Sequence, residues 1–236
     1  MLLLRSLVFY FILLSAAVFF GFLGIFLIPL PYRIRSQFFL CFNRVVLAGL
    51  RIVCKVDYEV SGLENLPSNQ PAVILAKHQS TWETFFLQLF FHPTSTILKR
   101  ELLRIPFFGW GLALLRPIPI DRSNPREALK KVKSLGLKRL EEGNNVLVFP
   151  EGTRTPVGEV GNYARSGADI AINGNTHIIP VAHNAGVYWP MDTIIKRPGT
   201  IKISIGEPIS TEGKNSKQLI QEAKAWIESE VESMTR

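Results

Sequence analysis

The stretch His78-Gln79-Ser80-Thr81-Trp82-Glu83 sets a histidine and a glutamate five positions apart, directly after the apolar run Ala72-Val73-Ile74-Leu75-Ala76. A carboxylate so placed can hold one imidazole nitrogen and leave the other to take a proton from an alcohol near neutral pH. The same letters fit a second role, because Ser80 and Glu83 stand at capping-box spacing and would merely start a helix. On its own the corner is open between those two readings. Three more polar clusters follow: Lys99-Arg100, Asp121-Arg122 and Glu151-Gly152-Thr153-Arg154. Arg154 offers a two-pronged fork for a phosphate and Lys99 a point charge. Turn amides around Gly152 would add backbone donors. Here too there are plain alternatives, an ordinary surface turn at 150–153 and a local ion pair between Asp121 and Arg122.

The elements that must position these clusters are strands and helices in alternation. Apolar runs predict strands over 53–60, 71–76, 94–98, 117–120, 146–149, 178–182 and 201–205, and a helix over 80–91 starting at Ser80. Asn124, Pro125 and Glu127 predict a capped helix that Gly143 ends, with an apolar stripe of Leu129, Val132, Leu135 or Gly136, and Leu140. Small residues near 167–173 and the closing segment 217–234 supply two further helices. Alternation of this kind implies an α/β fold with a mostly parallel sheet flanked by helices. Open α/β sheets gather ligands outside the carboxyl ends of their strands, where all four polar clusters fall.

Ahead of this body stands an apolar segment. Residues 7–30 carry no charge and span about 36 Å as a helix, enough to cross or deeply enter a bilayer. Apolar residues run on past Ser15-Ala16-Ala17, so a retained anchor is expected rather than a cleaved signal. Residues 36–53 form a second, basic amphipathic stretch with Arg44 and Arg51 on one face. Domains are therefore set at residues 1–54, an N-terminal two-helix membrane-docking element, and residues 55–236, the α/β body.

Charge is uneven: residues 1–55 hold six basic side chains and no acidic one, and 97–139 hold eleven basic against three acidic, within a net charge of +8. That field suits anionic membrane lipids or phosphate esters. The bias of Arg33, Arg35, Arg44, Arg51 and Lys55 over Arg5 places the body on the cytoplasmic side of a membrane. No nucleic acid partner is expected, since the basic runs lack interleaved aromatics and a recognised module. The two cysteines, Cys41 and Cys54, make neither a disulfide framework nor a zinc site, and no metal ligand set or cofactor motif stands out. Hydrolysis is disfavoured because no Gly-x-Ser-x-Gly elbow occurs. A membrane-tethered protein that only binds anionic lipid is the rival reading from another class.

Taken in order, His78-x4-Glu83, the Lys99 to Gly109 block leading to Ile120-Asp121-Arg122, Phe149-Pro150-Glu151-Gly152-Thr153-Arg154 and Ile179-Pro180-Val181 resemble the four motifs of the glycerolipid acyltransferases. The resemblance covers roughly residues 55–210 and is closest to the membrane-bound 1-acylglycerol-3-phosphate acyltransferases. It implies that His78 is the general base, oriented by Glu83, and that an acyl group passes from acyl-CoA or acyl-carrier protein to lysophosphatidic acid without an enzyme-bound intermediate. It also implies that Lys99, Arg122 and Arg154 hold the acceptor phosphate while Glu151, Gly152 and Thr153 shape its pocket. The chain departs from the family twice, with Glu83 where Asp is usual and Lys77 where Asn is frequent. Glutamate, one methylene longer, still reaches His78, and other lysophospholipid acceptors stay open.

Overall fold

Strands buried on both faces need two covering layers, and the computed structural model, which describes residues 1–66, 70–121 and 123–235, supplies them. Seven strands form one sheet in the order β1-β7-β6-β2-β5-β3-β4. They are β1 (Val56–Ser61), β2 (Val73–Ala76), β3 (Thr94–Lys99), β4 (Ile118–Ile120), β5 (Asn145–Val148), β6 (Ile178–His183) and β7 (Gly199–Ile205). All neighbouring pairs run parallel except β6 with β7. β2 lies at the centre, with Ile74 level with Leu147 of β5 and Ile179 of β6.

Side chains of a strand alternate between faces, and β2 divides accordingly. Ile74 and Ala76 join the apolar cluster on one side, and Val73 and Leu75 the cluster on the other. The first side is covered by α1 (Leu2–Phe26), α2 (Tyr32–Gly49), α3 (Trp82–Phe90) and α4 (Phe108–Ala113). The second is covered by α5 (Pro125–Glu141), α6 (Ser166–Asn173) and α8 (Ser216–Thr235), and a short α7 (Ala185–Tyr188) follows β6. Each large aliphatic side chain so enclosed contributes about 1.5–3 kcal/mol.

Both α1 and the stretch Tyr32–Cys54 are long and apolar enough to cross a membrane. Yet α1 does not stand apart from the body. Phe9 is fully buried, and a Cβ at Gly21 would sit 2.2 Å from the carbonyl oxygen of Phe107, so only glycine permits that approach. The opposite side of α1 presents Leu4, Phe11, Leu14, Phe19 and Phe26 to the outside. In α2, Phe39, Phe42 and Val46 pack inward while Arg44 is exposed, and Asn43 donates to the Phe85 carbonyl at 3.1 Å. Arg51, also exposed, pairs with Asp57 at 2.9 Å.

The strand assignments hold to within a few residues, and the helix over 125–141 is capped as expected, with Asn124 accepting from the Glu127 amide. Two expectations change. α3 starts at Trp82 with Thr81 as its cap residue: the Ser80 hydroxyl donates to the Trp189 carbonyl at 2.7 Å and accepts the Trp82 amide at 3.2 Å, ahead of the helix proper. Leu129 is 54% exposed rather than part of a core stripe, since it faces an open cavity. Asp121 pairs with Arg100 at 2.8 Å, and Arg122 lies outside the described residues.

Candidate active site

The ends of β2, β3, β4 and β5 converge on a cavity of about 560 Å3. Apolar side chains line part of it, with Phe39 from α2, Phe85 from α3, and Phe108 and Leu112 from α4. Its polar end holds His78, Lys99, Gly152, Thr153 and Arg154. The N-terminal helix α2 therefore builds part of the same chamber that the motif residues face.

His78 continues the parity of Ile74 and Ala76, which aims its ring to the cavity side of the sheet. Its Nδ1 lies 2.9 Å from Glu83 Oε1, and the ring stacks on Phe149 at 4.2 Å between centroids. Glu83 is fully buried, and the same oxygen accepts the amides of Gln79 at 3.1 Å and Ser80 at 2.8 Å. Glu83 thus accepts the corner amides and the imidazole bond at once. Burial works against its charge, but the His78 hydrogen bond and the Ser80 amide outweigh that and keep its carboxyl below the usual range. An ionised Glu83 accepts a proton-bearing Nδ1, which leaves Nε2 of His78 as a lone-pair acceptor toward the cavity.

Behind Glu83 stands His183, 4.0 Å away from Oε2 and fully buried. Its Nε2 donates to the Lys77 carbonyl at 2.8 Å and its Nδ1 accepts the Ala185 amide at 3.2 Å. That pair of bonds needs the neutral ring, and burial pushes its pKa down in the same direction. No carboxylate stands near His183 along the chain, and the fold brings Glu83 beside it from the corner after the neighbouring strand β2.

The strand β5 delivers the second cluster. Gly152 takes φ +69, a left-handed turn that glycine adopts without strain, and its amide donates to the Phe149 carbonyl at 3.0 Å. That amide is therefore engaged in the turn rather than offered to a ligand. Glu151 does not line the cavity. Its Oε1 accepts from Lys77 Nζ at 2.7 Å and Thr155 Oγ1 at 2.7 Å, and its Oε2 accepts the His78 amide at 2.8 Å. Thr155 returns its own amide to the His78 carbonyl at 2.8 Å. The main chain of His78 is thus clasped on both sides by one loop. Arg154, between the two clasping residues, points into the cavity, and its Nε is buried with no hydrogen-bond partner among the described residues. An unpaired buried guanidinium nitrogen is costly, and a ligand oxygen would satisfy it. Lys99 is exposed at the end of β3 and lines the same rim.

Sequence reasoning missed Lys77, Thr155, His183 and Glu228 as parts of this corner. Strand parity offered a hint for Lys77, which must turn to the face opposite His78. Nothing in the spacing signals Glu228, 151 residues farther on.

The description of the acyltransferase family matches residues 57–184. The chain is 49% identical to the 1-acyl-sn-glycerol-3-phosphate acyltransferase of Pseudomonas aeruginosa over 94% of this chain and 88% of that one. It is 33% identical to the 1-acyl-sn-glycerol-3-phosphate acyltransferase of Saccharomyces cerevisiae, over 73% of this chain and 56% of that one. Among solved structures it resembles that of the 1-acyl-sn-glycerophosphate (LPA) acyltransferase PlsC from Thermotoga maritima, at TM-score 0.82 and 26% identity, covering 99% of this chain and 96% of that one.

Proposed function

The chain belongs to the acyltransferase family, and from that premise we propose that it transfers a fatty acyl group from an acyl thioester to the free hydroxyl of 1-acylglycerol-3-phosphate, making phosphatidic acid. The observation that carries this reading is one cavity holding the Glu83-bound imidazole of His78, an Arg154 whose Nε has no partner among the described residues, and a set of aromatic and aliphatic side chains.

His78 Nε2 takes the proton of the acceptor hydroxyl as its oxygen attacks the thioester carbonyl. Glu83 stabilises the imidazolium that forms. When the tetrahedral adduct collapses, the carbon–sulfur bond breaks and the imidazolium returns its proton to the departing thiolate, leaving a free thiol and a new ester. Arg154 and Lys99 hold the acceptor phosphate, with Thr153 at the same rim and Gly152 setting the turn that presents them. Glu151 acts on this pocket indirectly, through its grip on the His78 amide. Arg122 keeps its proposed phosphate role from the sequence. The apolar wall takes acyl chain, which would otherwise expose its methylenes to water at about 0.8 kcal/mol each.

Residues 1–54 dock the body, residues 55–236, against the bilayer through the exposed apolar face of α1, with exposed Arg33, Arg44 and Arg51 among anionic head groups on the cytoplasmic face. A panel of lysolipids in vesicles, offered with acyl-CoA and with acyl-carrier protein, tests acceptor and donor together. Turnover greatest with 1-acylglycerol-3-phosphate is expected. Faster turnover of a lysolipid without a phosphate monoester would overturn the acceptor assignment.

A further inference from the structure

Lys77 follows the parity of Val73 and Leu75 and so turns away from the cavity, into the layer of α8. Its ammonium is fully buried, 2.7 Å from Glu151 Oε1, 2.9 and 3.1 Å from the two oxygens of Glu228, and 3.2 Å from the Glu159 carbonyl. One cation therefore faces two carboxylates, and a buried ion is tolerated only when such partners surround it. Neither carboxylate touches the cavity, but Glu151 is the residue whose other oxygen holds the His78 amide.

We propose that Lys77 is a positioning residue for acyl transfer: it orients Glu151 so that one loop fixes both the base His78 and the cation Arg154, and through Glu228 it makes helix α8 part of the support. This rests on the reading of His78 as the base given above.

Glu151 lies at the junction of three demands. Its Oε1 needs a cation to stay ionised while buried, its Oε2 must aim at the His78 amide, and its main chain leads through Gly152 and Thr153 into Arg154. Without the ammonium, Glu151 and Glu228 would share a buried space as like charges, and one of them would take a proton. Other groups around them do not replace the cation. Thr155 and Tyr163 donate neutral hydrogen bonds, to Glu151 and Glu228 respectively. Lys224 of α8 lies over the Tyr163 ring at 5.3 Å, with its ammonium on the Gly161 carbonyl. His183 of β6 is neutral, and Glu83 adds a further negative charge. A displacement of His78 or Arg154 by about 1 Å is enough to cost about 100-fold in rate.

The experiment compares Lys77→Met, Glu228→Gln and the double variant with the parent and with His78→Ala. Each is assayed for kcat and KM with 1-acylglycerol-3-phosphate in phosphatidylglycerol vesicles from pH 6 to 9, and for thermal unfolding. Lys77→Met is expected to lose about 100-fold in kcat at pH 8. The deficit relative to the parent should persist from pH 6 to pH 9, since a change of pH does not restore the cation that orients Glu151. The double variant should regain Tm while kcat stays low, since Glu151 still lacks its cation. This second variant also carries the test where Lys77→Met folds poorly. Should the double variant recover Tm and kcat together, or Lys77→Met turn over like the parent at every pH while His78→Ala is inactive, Lys77 is a strut for stability and the proposal fails. Parent-like turnover by His78→Ala would instead remove the reading on which it rests.

Discussion

Behind His78, every oxygen of Glu151 and one of Glu83 accept hydrogen bonds from the chain itself, and Lys77 is enclosed by carboxylates. In front of it, Lys99 and Arg154 carry no ion pair among the described residues, and Arg154 keeps a buried nitrogen unsatisfied. The contrast separates two tasks. Groups that fix the base are buried and bonded to the chain, apart from the second oxygen of Glu83, whereas groups that await an anion are left with unused donors. Changes behind the ring should therefore alter turnover and stability, and changes in front of it should alter acceptor affinity.

The comparison breaks most visibly at Glu83. Replacing it with Gln keeps a hydrogen-bond acceptor near Nδ1 but removes the charge that stabilises the imidazolium. A fall in kcat on the order of 100-fold is expected, with little change in KM, measured at saturating acceptor. Arg154→Ala should raise KM for the phosphate-bearing acceptor about 10- to 100-fold, the worth of a charge-assisted hydrogen bond. A kcat loss as large as that of the Glu83 variant would erase the distinction between the two regions. Lys99→Ala, at an exposed rim, should raise KM by less, and by a factor that shrinks with added salt.

The smallest effect concerns pH. Glu83 is held below its ordinary range, so its contribution to stability is complete above the unfolded value of about 4.3. It is lost as pH falls through the lower folded value. Unfolding scans below pH 5 should show the parent losing Tm more steeply than Glu83→Gln, and parallel slopes would deny that ionised state.

Much of this was readable in the residues because the sheet is buried on both faces. Runs such as Val73-Ile74-Leu75-Ala76 and Val146-Leu147-Val148 are apolar without a break, and the central strands fall where they do. His78 and Glu83 were legible because their contact is local, across one corner. Lys77 with Glu228 was not, since that contact depends on where α8 returns to the sheet. Ser80 was only half legible for a related reason: its oxygen accepts the Trp82 amide at the helix start, but its proton goes to the Trp189 carbonyl, 109 residues away. Leu129 reads as core by periodicity, but the wall it faces is a cavity, and periodicity reports which face is apolar without saying what fills the space beyond.

The division of labour is tested most directly by titrating 1-acylglycerol-3-phosphate against His78→Ala and Arg154→Ala side by side, at fixed donor and equal vesicle binding. The account predicts that His78→Ala stays about 100- to 10,000-fold slow at saturation, while Arg154→Ala climbs toward the parental kcat as acceptor rises. A His78→Ala enzyme that reaches parental kcat at high acceptor would contradict it.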